Sequence, residues 1–156
     1  MTYTHKPIGG VESVALYPTN AVESVLFSSR GCEVSFLSDS IDVELLDNSS
    51  YYEEKLESKS GTAKITHKVV ITAEREWADR WLSNKFLERA SMEGLVAKVK
   101  LCDGRNLLVG YSAHFGDEQP LRLESLHYNS GRTPHDRPTV TLTLLSHDTA
   151  FSQTIL

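Results

Sequence analysis

Residues 62–72 alternate without a break. Ala63, Ile65, His67, Val69 and Ile71 fall on one face of an extended chain, and Lys64, Thr66, Lys68, Val70 and Thr72 on the other. A period of two belongs to a strand with one face in the core, because successive side chains on a pleated backbone point to opposite sides. The stretch 139–146 repeats the pattern, with Val140, Leu142 and Leu144 inward and Thr139, Thr141 and Thr143 outward in a threonine ladder. Further short candidate strands, at 11–17, 22–27, 33–37, 41–46, 51–58, 95–101, 107–112 and 121–128, are separated by Gly, Pro, Asn, Asp and Ser. The expectation is a mainly β (α+β) chain: an antiparallel β-sandwich or barrel.

One segment departs from that period. In 74–90, Trp77 and Trp81 stand four apart, as do Leu82, Phe86 and Ala90, which makes an apolar helical stripe. This is the one flanking amphipathic helix, its indoles covering an open face of the sheet. Ser83 and Asn84 favour caps over helix interiors and allow a break into two short helices, and Gly94 is placed to end the segment. In 95–111 the loop length decides the hairpin register. A three-residue loop, Cys102-Asp103-Gly104, sets Val99 against Leu107, Ala97 against Val109 and Leu95 against Tyr111, with Gly104 in the left-handed position.

At 156 residues and 17.4 kDa the chain has room for a single domain, 1–156. Hydrophobic residues at 40% and charged residues at 24% suit a folded core. Residues 1–9 read as a flexible N-terminal arm without the apolar centre of a signal peptide, and no run is long enough for a membrane helix. The expected address is therefore the cytoplasm, with no membrane partner. A net charge of −5 argues against a surface that grips nucleic acid throughout. Cys32 and Cys102, the two cysteines, are too few for a disulfide framework and read as thiols.

The motif search points away from chemistry. Phosphate-cradling glycine loops and the Gly-x-Ser-x-Gly elbow are missing from the sequence. The six histidines are never two or four apart, so no metal site and no cofactor is expected. His67, on the apolar face of its strand, reads as a hydrogen-bonded core or interface histidine rather than a base. The acidic stretch from Asp42 to Glu57 reads as a solvated hairpin face, overlapping a polar β-hairpin at 47–61. Tyr51 and Tyr52, set beside a turn at 48–50, divide between core packing and subunit contact. The PHDRP run at 134–138 belongs to an extended loop, 129–138, which is a second contact arm. The candidate subunit contacts are therefore Tyr51, Tyr52, Leu56, His135 and Arg137, with no catalytic, cofactor-binding or metal residue.

The element order runs from several strands through a polar hairpin at 47–61, a strand and an amphipathic helix to a closing β-meander. It resembles the tail-tube protein superfamily of bacteriophages and related injection machines, and PTVTLTLLSHDTAF at 138–151 is similar to the closing strand and tail of small prophage virion proteins. The resemblance implies a non-enzymatic structural subunit, tail-tube-like or tail-completion, which forms homo-oligomeric rings and contacts other virion proteins. It implies passive DNA passage without sequence-specific binding, and residence in the bacterial host's cytoplasm and then in the virion. Two other readings stand beside it: a cytoplasmic small-ligand-binding β-barrel with His67 or His127 in its cavity, and an enzyme of unknown class.

Overall fold

The computed structural model describes residues 10–46, 49–59 and 61–156, so the expected N-terminal arm and the turn residues Asp47 and Asn48 lie outside the described residues. Along the chain run β1 (Val11–Pro18), β2 (Val22–Phe27), β3 (Cys32–Phe36), β4 (Ile41–Val43), β5 (Tyr51–Lys59) and β6 (Thr62–Glu74). Helices α1 (Arg75–Ala78) and α2 (Asn84–Met92) come next. The chain then forms β7 (Leu95–Leu101), β8 (Asn106–Val109), β9 (Arg122–Asn129), β10 (Thr139–Asp148) and β11 (Gln153–Thr154).

The strands form a five-stranded sheet in the order β11-β8-β7-β1-β4, a four-stranded sheet in the order β5-β6-β10-β9, and a β2-β3 ribbon, with every ladder antiparallel. The inward faces of the two larger sheets share one core. Val14, Leu16, Ala97, Val99 and Val109 from the first meet Val69, Ile71, Val140, Leu142 and Leu144 from the second. This is an α+β antiparallel sandwich. Each fully buried Leu or Val there contributes about 1.5–3 kcal/mol of transfer free energy. The alternation in β6 and β10 is the direct cause: Ile65, His67, Val69 and Ile71 are buried on one side, while Thr139, Thr141 and Thr143 line the other, half-exposed.

The β2-β3 ribbon covers the second face of the five-stranded sheet. Cys32 packs with Val96 and Leu108, flanked by Val22, Val25, Val34 and Phe36, and the Phe36 ring stacks on Tyr17. This second layer explains why Leu95, Val96 and Ala97 are all buried, a run that a one-sided strand would alternate. The expected hairpin register holds, with Ala97 opposite Val109, Val99 opposite Leu107 and Gly104 at φ +96°. Leu95 does not reach Tyr111 and bridges to Leu121 instead. Gly110 turns the chain away at φ +92°, where a Cβ would lie 2.7 Å from the Leu95 carbonyl oxygen.

The segment 74–90 breaks into the two short helices that Ser83 and Asn84 allow. Glu74 completes β6, α1 ends at Ala78, and Ser83 caps α2 by accepting a hydrogen bond from the Phe86 N–H at 3.1 Å. A capping serine holds extended backbone, so it cannot lie inside a continuous helix. Trp81 packs on the core and meets the Phe86 ring edge-on at 5.2 Å. The 47–61 hairpin also needs correction. Residues 51–59 form one strand whose partner is β6, with Lys59 opposite Thr62, so the chain reverses between Lys59 and Thr62, where Gly61 has φ +81°. Tyr51 and Tyr52 pair with Val70 and Val69, well away from that tip.

Candidate functional site

β5 and β6 position the most interconnected polar cluster of the interior. In their register Glu54 stands opposite His67, and Tyr52, two residues earlier on the same face of β5, points into the sandwich and packs on the core. The loop after β10 closes over them. His67, 3% exposed, holds the Ala150 carbonyl through Nε2 at 2.9 Å, so Nε2 carries a proton, since a carbonyl only accepts. Its Nδ1 lies 2.8 Å from the Tyr52 hydroxyl and 3.4 Å from the Glu54 carboxylate. The Tyr52 hydroxyl donates to Glu54, as do the Ser152 backbone N–H at 2.9 Å and the Ser152 hydroxyl.

The electrostatics follow from that geometry. Burial alone raises the Glu54 pKa, but the adjacent His67 and the hydrogen bonds from Ser152 and Tyr52 outweigh it and hold the group at about 2, so it is a carboxylate. Burial first, and then the hydrogen bond to that carboxylate, push the Tyr52 phenol upward and keep it protonated. Serine, histidine and acid are thus neighbours, yet their order is not that of a hydrolytic triad. Ser152 bonds to the acid, and the histidine nitrogen that would take its proton is held by a carbonyl. The arrangement pins a segment. Ala150 and Ser152 are held on the four-stranded sheet, β11 pairs with β8, and the Leu156 N–H donates to the Cys32 carbonyl at 2.9 Å. One short stretch therefore ties all three sheets together.

The five expected contact residues separate. Tyr52 is half-buried in this cluster, the core side of its two readings. Tyr51 and Leu56 stay on the surface of β5 at 43% and 52% exposure, with the Lys68 ammonium 5.9 Å from the Tyr51 ring centroid. His135 and Arg137 sit in the loop between β9 and β10, which is folded on itself rather than extended. The Asp136 carboxylate accepts the N–H groups of Arg132 and Thr133 at 2.9 and 3.1 Å, and this holds it below the usual carboxylate range. Arg137 is tied to the Glu74 carboxylate, and that bond raises its pKa.

The His67 expectation holds, since it is a hydrogen-bonded core histidine. Sequence reasoning missed Ser152 and the coupling of Glu54 to His67. The available signal was the reversal between Lys59 and Thr62, which sets residue 54 opposite 67. Among the described residues no cluster of His, Cys, Asp and Glu is arranged to hold a metal ion, and no helix is long and apolar enough to cross a membrane. A cleft of about 270 Å³ lies beside α2, walled by Ile41, Trp81, Phe86 and Leu95 with Lys85 and Arg89 among its lining. Compared with models of known protein families, with curated proteins and with solved structures, the chain finds no match.

Proposed function

We propose that this chain is a structural subunit that works by homo-oligomeric assembly, in rings of the kind that build phage or prophage tails, and not by catalysis. The observation that supports it is the four-stranded sheet. It ends in two long outer strands, β5 and β9, and among the described residues β5 offers an unpaired backbone edge over nine residues. Free edges of that length recruit further strands, and association is one way to satisfy them. Exposed Tyr51 and Leu56 lie on that edge, as the contact reading expects. The test is light scattering with electron microscopy at rising concentration. Ring-shaped homo-oligomers are expected, and a strict monomer at millimolar protein overturns the reading.

A second reading keeps one observation. The ligand-barrel version is not favoured, because both His67 nitrogens are engaged and His127 is exposed. The cleft beside α2 instead suits a small apolar ligand. A thermal-shift screen that returns no hit removes it.

A further inference from the structure

β5 is an outer strand, and no described strand lies against its free side. Natural proteins blunt such edges, and charged side chains are a common device. β5 carries alternating sign instead: Glu53, Lys55 and Glu57 share its outward face, with Lys55 Nζ 3.2 Å from the Glu57 carboxylate. Among axes placed at residues 53–57 that pattern is self-complementary in one register. A second copy laid antiparallel against β5 is related by a two-fold axis normal to the sheet, and the axis passes beside a single residue and its mate.

Placing the axis at Glu53, Glu54 or Glu57 sets carboxylates face to face, and placing it at Lys55 opposes two ammonium groups and sets Glu53 against Glu57. Placing it at Leu56 removes every like-charge pair from residues 54–58. Lys55 of each copy then faces Glu57 of the other, Glu54 faces Ser58, and the two Leu56 side chains meet. Opposed like charges destabilise a sheet and opposed unlike charges stabilise it, so this register is favoured over the four axes at Glu53, Glu54, Lys55 and Glu57. It also accounts for Leu56, an aliphatic side chain 52% exposed between the charged Lys55 and Glu57.

We infer that β5 is the surface on which two copies of this chain join, antiparallel about an axis at Leu56, so that their four-stranded sheets become one. This rests on the assembly reading above and names one of its contacts. A two-fold contact joins two copies and stops, so by itself it gives a dimer, and a ring needs a second contact from another surface, such as the β9 side of the sheet.

The test uses the full chain, Lys55→Glu, Glu57→Lys and their equimolar mixture, in sedimentation at several concentrations. Each variant alone should pair roughly tenfold more weakly than the parent. The mixture should recover, because each acidic edge then faces a basic one, although neither chain regains its own Lys55–Glu57 bridge. A strictly monomeric parent overturns this pairing together with the assembly reading. A parent that assembles, with variants that assemble equally well or a mixture that does not recover, overturns the pairing alone. Leu56→Cys gives an independent readout: mild oxidation should yield a covalent dimer, and no dimer from an assembling protein moves the axis elsewhere and overturns the inference.

Discussion

At Glu54 a single carboxylate gathers the Tyr52 hydroxyl and both donors of Ser152, and lies 3.4 Å from His67 Nδ1. The Glu54 pKa lies below its ordinary value of 4.5, at about 2 in the folded chain. A depressed folded pKa contributes stability that is fully present above the unfolded value and is lost as pH falls through the folded one. Urea unfolding should therefore show stability declining between pH 4.5 and 2, and Glu54→Gln should flatten that decline. At neutral pH the same substitution should cost about 1–3 kcal/mol, because the Ser152 donors and His67 lose a charged partner. His67→Phe asks whether the cluster only fills space. It should lose the Ala150 bond and destabilise by a similar amount, whereas an unchanged melting temperature would show that the ring acts by volume alone.

Among the elements, α2 depends on its ends. Ser83→Ala removes the acceptor for the Phe86 N–H and should cost about 1 kcal/mol in thermal unfolding. Gly94→Ala should cost more, since Gly94 sits at φ +82° and a Cβ would lie 2.5 Å from the Pro120 ring. Both positions were legible beforehand, because cap residues act through their own backbone chemistry. The alternation of β6 and β10 and the Ala97–Val109 register were legible for the same reason: each is set within a few residues. The partner of β5 was harder to read. Whether 51–59 folds back on β4 or pairs with β6 is decided by where the chain reverses, between Lys59 and Thr62, and Asn48-Ser49-Ser50 offered an equally good turn by composition. The tail segment was out of reach, since Ser152 finds Glu54 across 98 positions and no local period encodes that. β11, two residues long, carries too short a pattern to register as a strand.

For the whole molecule, the closing contacts at Cys32 matter most. The thiol is fully buried, and burial raises its pKa, so it should be inert while the tail is docked. Gly31→Ala would put a Cβ 2.2 Å from the Thr154 carbonyl oxygen and so dislodge that tail. Native-state thiol titration should then count Cys32 as reactive in the variant and protected in the parent. Equal protection in both would mean that the tail is held without passing close to Gly31. The pairing of β1 with β7 has a different consequence, in time. Val11 meets Leu101 across most of the chain, and such non-local closures make folding slow, whereas β5 and β6 are joined by a two-residue loop and meet early. A half-folded chain therefore already displays the edge that β5 carries, open to other nascent chains before the sandwich closes.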